Sequence, residues 1–230
     1  MSHYDDGVAA YKKHDDAAAV AGFRAAVEAD PKNYRAAVYL ALSLERMGDL
    51  DGAASAARMA LEANPDYAKG HNALGNIFRS QGKLDEALHS YKTATRLEPG
   101  SSLYRHNLGI TCFDVGMLEA AQSELEEAAS LDSANADVWW DLATVALKRN
   151  DVGKAKVALE KYLEIRPRGK HAQVAWCNLG DCLVSLGDQV GARLAYNTYL
   201  EGPPDEREAE VRAKLERLEA DDPNVGSSFG

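Results

Sequence analysis

The hydrophobic residues of this chain follow a helical period, and the clearest example runs from Ala68 to Ser101. After His71, apolar and small residues recur at i+3, i+4 and i+7, which is the spacing of one face of an α-helix. They are Leu74, Gly75 and Phe78. Gly82 then breaks the pattern, and glycine is favoured where helices end. The pattern predicts a helix that ends close to this glycine.

A second helix is predicted after the turn. Ala87, Tyr91 and Ala94 form another stripe at spacings of four and three, Asp85 is expected to cap its N-terminus, and Pro99 ends it. The segment is therefore a helix, a tight turn, a second helix and a stop within 34 residues. The same pattern recurs 34 residues away in either direction. The chain is predicted to be an array of helix pairs, each packed on its neighbours.

A helix–turn–helix period of this length and pattern resembles the tetratricopeptide repeat. The resemblance covers about residues 2 to 204 and implies an all-α fold, a right-handed superhelical α-solenoid of about six repeats. The predicted repeat boundaries are 1–33, 34–67, 68–101, 102–135, 136–169 and 173–204.

Some positions depart from the repeat pattern. In the first repeat Asp6 replaces the usual leucine and His14 replaces the turn glycine, and in the fifth Asn150 replaces that glycine. Histidine and asparagine both tolerate the left-handed conformation that such a turn requires. Three extra residues near Lys170 to Ala172 precede the sixth repeat. They are expected to lengthen a loop or to extend the next helix by about one turn.

The pattern changes again after the sixth repeat. Residues 205–220 carry a narrow apolar stripe of Val211, Leu215 and Leu218 among charged residues. This pattern predicts a capping helix with one side on the last repeat and the rest in water. Residues 221–230 are polar and glycine-rich, and they are predicted to be a disordered tail.

Composition limits the class of protein. The net charge of −10 argues against a nucleic-acid or anionic-membrane surface as the main partner. The three cysteines form no CxxC pair, which favours a reducing compartment. The N-terminal residues lack the apolar region of a signal peptide, and no stretch approaches the ~20 apolar residues of a membrane span. We therefore expect a cytoplasmic protein without membrane insertion, and the alanine-rich composition weakly favours a bacterial origin.

The sequence contains no enzyme motif. Glycine-rich phosphate loops, HExxH and GxSxG are all missing. We therefore expect no enzymatic activity, no catalytic residues, no cofactor and no metal. Cys177 and Asp181 lie one helical turn apart and could share a metal; the alternative is that one lines a groove and the other is a polar surface residue. The histidines are scattered without ligand spacing.

The resemblance implies a binding function. In tetratricopeptide arrays the first helix of each repeat lines a concave groove that binds peptides or helices. We therefore expect a non-catalytic adaptor or scaffold that binds a peptide or helix of a partner protein. The alternatives are a self-associating assembly platform and a regulatory module of a larger complex. The groove positions yield the candidate contacts Tyr39, Lys69, Asn72, Asn76, Arg79, Asn107, Asp137, Trp140, Asp141, Asn178 and Asp181.

Amides form one feature of these candidates. An asparagine side chain both donates and accepts hydrogen bonds, so it can pair with a ligand's peptide group without reading its sequence. Asn76 and Asn107 match two asparagines of the chaperone-type carboxylate clamp, as the resemblance implies. Asp137 and Asp141 stand where that clamp has basic residues, so an acidic chaperone tail is not expected to bind here.

Charge forms a second feature. Arg35, Arg46, Lys69 and Arg79 lie on the early repeats, whereas Asp114, Asp137, Asp141 and Asp181 lie on the later ones. We expect a bipolar groove whose acidic half accepts a Lys- or Arg-containing segment beside an exposed Trp140, since a cation near tryptophan gains about 0.5–2 kcal/mol. The alternative is that these charges only solvate the surface, because exposed pairs contribute about 0–1 kcal/mol.

Overall fold

The computed structural model describes residues 2–220, and within that range it contains helices and no strand. The predicted all-α repeat solenoid is therefore confirmed. The predicted tail 221–230 lies outside the described residues. The helices are α1 (His3–Lys12), α2 (Asp16–Ala29), α3 (Tyr34–Arg46), α4 (Leu50–Ala63), α5 (Ala68–Ser80), α6 (Leu84–Leu97), α7 (Ser102–Asp114), α8 (Leu118–Leu131), α9 (Ala136–Lys148), α10 (Val152–Ile165), α11 (Ala172–Ser185), α12 (Gln189–Leu200) and α13 (Glu208–Ala220).

The chain divides into two compact units, Met1–Leu131 and Asp132–Gly230, which we call unit 1 and unit 2. Unit 1 contains the helix pairs from α1 to α8. Unit 2 contains the pairs α9–α10 and α11–α12, followed by α13. Each helix packs against the next within its unit. We call the first helix of each pair its A helix, the second its B helix, and the surface formed by the A helices of one unit the A-helix face.

Aspartates start most B helices. Asp15, Asp49, Asp151 and Asp188 are N-cap residues whose side chains accept a backbone N–H three residues later. The prediction that Asp85 caps α6 is wrong. Lys83 is the N-cap there and makes no side-chain cap, while Asp85 lies in the first turn. Its carboxylate can still interact favourably with the positive end of the helix dipole.

The turn within each pair has one left-handed residue. His14 and Asn150 adopt it with φ of 59°, as the sequence predicted for residues that replace the turn glycine. The other four repeats use glycine, at Gly48, Gly82, Gly116 and Gly187.

Close packing of a glycine on a large side chain holds the pairs together. The ring of Tyr91 in α6 lies so near Gly75 in α5 that a Cβ there would be 2.6 Å from Cε1. Tyr91 is only 1% exposed, so its ring cannot move into solvent. The same contact recurs between Gly180 and Tyr196 in unit 2. The glycine therefore sets how closely the two helices of a pair approach.

The insertion before the sixth repeat lengthens a loop. α10 ends at Ile165 and α11 begins at Ala172, which leaves six connecting residues, whereas α8 and α9 are joined by four. Among the residues that the structure describes, no helix is both long and apolar enough to cross a bilayer.

The last helix covers the end of unit 2. α13 packs on α12 and buries Val211 and Leu218, while most of its remaining residues are exposed. Before it, the Tyr199 hydroxyl donates to the carboxylate of Asp205. Lys214 of α13 reaches Asp181 of α11, with 2.8 Å between Nζ and Oδ1. The cap therefore contacts the A-helix face as well as the apolar end of the unit.

Gly75→Ala tests the packing contact. Overpacking against the rigid Tyr91 ring should cost about 2–3 kcal/mol, more than the roughly 1 kcal/mol that alanine gains in a helix. We expect a lower urea midpoint in equilibrium unfolding. Gly100→Ala is the control, because a Cβ there meets nothing within 4 Å. Equal midpoints for the two variants would contradict the role assigned to Gly75.

Candidate functional site

Three asparagines of unit 1 meet on its A-helix face. Nδ2 of Asn107 on α7 donates to Oδ1 of Asn72 on α5 at 2.9 Å and approaches Oδ1 of Asn76 at 3.5 Å. Asn76 and Asn107 are half-buried. The repeat register brings them together, because equivalent positions of neighbouring A helices lie side by side. The structure thus joins three of the candidate amides in one hydrogen-bonded cluster.

A core tyrosine fixes the orientation of Asn76. The Tyr91 hydroxyl donates to Oδ1 of Asn76 at 2.7 Å. Burial raises the pKa of Tyr91 well above its ordinary value, so its hydroxyl stays protonated and remains a donor. Oδ1 of Asn76 therefore accepts hydrogen bonds from within the chain, and its Nδ2 group donates to no other residue among those described. This amide nitrogen is a hydrogen-bond donor on the A-helix face that a ligand can use.

Asn72 does not lie where the sequence placed it. It was expected to line an open groove, but it is only 7% exposed and its oxygen accepts from Asn107. The physical reason is that the side chain of Asn107 on α7 reaches across to it and lies within hydrogen-bond distance of its short side chain. Asn72 orients Asn107 rather than facing solvent.

Aromatic residues extend the A-helix face of unit 1. Tyr39 of α3 stacks on Phe23 at 5.3 Å between centroids and contacts Tyr4 and Tyr11 of α1 edge-on. Nζ of Lys69 lies 4.0 Å from the Tyr39 ring centroid. The two predicted residues therefore form a cation–π pair. Neither of the two α1 tyrosines was among the predicted groove residues, although their seven-residue spacing places them near one helical face.

The charges of unit 1 are compensated locally. Nε of Arg79 lies 3.0 Å from Oδ2 of Asp114 on the next A helix. Arg46 pairs with Asp16 at 3.0 Å. Two of the four basic residues of the predicted charge gradient, Arg46 and Arg79, are therefore paired with acids within the unit.

The acids of unit 2 are compensated in the same way. Oδ1 of Asp137 lies 2.8 Å from Nη1 of Arg166. Asp181 accepts from the Tyr196 hydroxyl at 2.6 Å and from Lys214 at 2.8 Å. Burial lowers the pKa of Lys214, but its hydrogen bonds to acids outweigh that effect and raise it above the ordinary value. Lys214 therefore remains a cation beside Asp181.

Trp140 also differs from the prediction. It was expected to be exposed, but it is half-buried because His171 from the lengthened loop stacks on it. The ring centroids are 4.4 Å apart and the planes differ by 9°. Tyr162 packs against it at 5.5 Å. The insertion therefore supplies a cover for the tryptophan.

The two remaining candidates of unit 2 lie on its A helices. Asp141 on α9 and Asn178 on α11 are both half-buried.

The structure does not favour a metal at Cys177. Cys177 is buried, and burial raises the pKa of its thiol, which disfavours the thiolate that a metal requires. Among residues 2–220, no group of three or more metal-ligating side chains is placed to hold an ion.

His171→Ala tests the cover over Trp140. Removing the stacked imidazole should expose one face of the indole, so acrylamide should quench tryptophan fluorescence more strongly than in the wild type. His106→Ala is a control outside unit 2. Unchanged quenching in His171→Ala, with the fold retained by circular dichroism, would refute the stack.

Family models for this repeat match three stretches of the chain. The model described as TPR repeat matches residues 75–116, and two models described as tetratricopeptide repeat match residues 4–68 and 113–175. The chain belongs to the tetratricopeptide repeat family. No curated protein matches it in sequence.

Solved structures share the fold. The TPR protein YrrB, described as having an unusual peptide-binding site, is 18% identical with a TM-score of 0.72, covering 84% of this chain and 98% of its own. MamA is 26% identical with a TM-score of 0.64, covering 76% and 97%. PilF of Pseudomonas aeruginosa is 22% identical with a TM-score of 0.63, covering 81% and 89%. These similarities show the fold, and the family models place the chain among the repeat proteins that serve generally as scaffolds for protein–protein interaction.

Proposed function

We propose that this chain is a non-catalytic adaptor that binds a peptide or helix of a partner protein on its A-helix faces. The observation that carries the proposal is the amide of Asn76. Its oxygen is held by Tyr91 and Asn107, so its nitrogen is oriented in advance as a donor. A donor fixed before binding suits a backbone carbonyl of a ligand, because little side-chain entropy remains to be lost.

Neighbouring groups support a peptide ligand. Tyr39 with Lys69 offers an aromatic and cationic surface on the same face of unit 1. Leu42 and Ile110 are half-buried there and can contact apolar side chains. The peptide-binding site named for YrrB supports the same class of ligand, although that similarity concerns the fold alone.

A partner segment that binds the A-helix face of unit 2 is proposed to carry lysine or arginine. Asp137 and Asp181 already have cations of this chain beside them, so a basic ligand would exchange with Arg166 and Lys214. Replacing an existing ion pair by another gains less binding free energy than forming a new ion pair. The proposed attraction therefore governs orientation and association rate more than affinity.

Asn76→Asp is the sharpest test. It preserves an oxygen for Tyr91 and Asn107 but removes the free NH2 donor and presents a carboxylate to the ligand. The fold already tolerates this arrangement, because Asp181 accepts from Tyr196 at the equivalent position of the sixth repeat. Asn76→Ala, by contrast, leaves a buried Tyr91 hydroxyl unsatisfied, which costs about 1–3 kcal/mol in stability.

We expect the immobilised wild type to capture a protein from native lysate, and Asn76→Asp to lose at least about tenfold of its affinity for a synthetic peptide from that protein. Lys92→Gln, on a B helix, is the matched control. The melting temperature of Asn76→Asp should stay within a few degrees of the wild type. Equal peptide affinity in all three proteins, or capture only of this chain itself, would overturn the proposal.

A further inference from the structure

Each unit has a groove between two successive B helices, above the A helix that separates them. In unit 1 it lies between α4 and α6 over α5, and in unit 2 between α10 and α12 over α11. We call these the α4/α6 groove and the α10/α12 groove. Each has a volume of about 400 Å³. They involve the B helices, so they are distinct from the amide cluster of the A-helix face.

The floors of the two grooves are built alike. Residues at the same repeat positions line both of them, and these floor residues are apolar in each. They are Leu61, Leu74 and Phe78 in the α4/α6 groove, and Leu163, Leu179 and Leu183 in the α10/α12 groove. One groove thus serves as an internal reference for the other.

The lips of the two grooves differ. The lip of each groove is the side formed by its second B helix, at four equivalent positions. They are Asp85, Glu86, His89 and Ser90 on α6, and Gly191, Leu194 and Ala195 on α12, where Val190 just outside the groove lining is the counterpart of Asp85. Every polar residue of the first lip is replaced by an apolar or small residue in the second.

The apolar lip of unit 2 faces solvent. Val190 is 70% exposed and Leu194 is 66% exposed. Val190 and Leu194 are four residues apart on α12, so they lie on one side of that helix. A single exposed apolar residue needs no explanation, but a pair on one helix side beside an apolar groove is typical of an interaction site.

The charges around this groove indicate its occupant. Its described lining carries Glu160, Glu164, Asp188 and the cation Lys156, which is 2.7 Å from Glu160, while Lys161 outside the lining is 2.8 Å from Glu164, so acids still outnumber cations at the rim. A second copy of this chain in a two-fold contact would bring the same acidic rim against itself. A partner with lysine or arginine beside its apolar residues complements the rim instead.

We propose that the α10/α12 groove is a second binding site, which takes an amphipathic helix of another protein with apolar anchors and basic flanks. The anchors contact Leu194, with Val190 beside it on α12, and reach the leucine floor, while the basic flanks face Glu164 and Asp188. Apolar anchors at i, i+4 and i+7 suit a groove bordered by two helices. The chain then has two faces with different ligands, one on the A helices and one between the B helices of unit 2.

The test uses the full chain and a fluorescein-labelled amphipathic peptide, with leucines at i, i+4 and i+7 and lysines on both flanks, measured by fluorescence anisotropy. Val190→Asp/Leu194→His gives the unit 2 lip two residues of the unit 1 lip. We expect it to weaken binding at least about tenfold, since anchors of this kind dominate binding energy. Met59→Gln is the control, because Met59 is exposed but lines neither groove. Undiminished binding by the double variant would overturn the proposal.

Further arms address folding, charge and self-association. Leu194→Ser alone removes the exposed leucine of the lip without adding a charge and should also weaken binding, which preserves the test if the double variant unfolds. The same peptide with glutamates in place of lysines should bind at least about tenfold more weakly, and equal binding would overturn the assignment of a basic partner.

Light scattering tests self-association. If the wild type is a dimer and Val190→Asp/Leu194→His is a monomer, the groove binds a second copy of the chain and the proposal is overturned.

A gain-of-function variant examines the lip directly. Asp85→Val/His89→Leu gives the α4/α6 groove the apolar lip residues of the other groove. We expect a second bound peptide per chain in a titration at saturating concentration. Retention of a single bound peptide would show that the lip does not decide binding, and would overturn the proposal.

Discussion

The contact between a glycine of an A helix and a tyrosine of the following B helix controls both the packing and the candidate site. Because Gly75 has no side chain, the ring of Tyr91 packs directly against α5. Its hydroxyl then emerges at the level of Asn76 and fixes that amide. The same device in the sixth repeat brings Tyr196 to a carboxylate, Asp181. Core packing thus orients the polar groups that a ligand would meet.

Most of the fold could be predicted because its signals are local. Helical periodicity, turn residues that tolerate positive φ and a change of pattern after the sixth repeat can each be read within a few residues. Where the prediction failed, the cause was equally local: α6 begins at Leu84, so Asp85 falls inside the helix rather than at its cap. The two residues at which a repeat replaces its turn glycine, His14 and Asn150, follow the expected geometry.

The candidate site was less predictable because it depends on contacts between repeats. Trp140 was judged from its own helix, which gave it no partner, whereas its cover is His171 from a loop outside the repeat pattern. The charge gradient was predicted from the acids and bases of each repeat separately, and such a pattern does not show which side chains form ion pairs between repeats. Arg79 and Asp114 are 35 residues apart, nearly one repeat, so the register itself could have revealed that pair.

The three buried cysteines turn the chain into a reporter of its own motions. Cys112 belongs to unit 1, and Cys177 and Cys182 belong to unit 2. Burial raises the pKa of each thiol, for Cys182 to about 11, so a thiol reagent meets little thiolate while the helices stay closed. Labelling therefore follows local opening, and its rate at each cysteine measures how often that unit opens. Mass spectrometry of one sample can follow the opening of both units without any engineered probe.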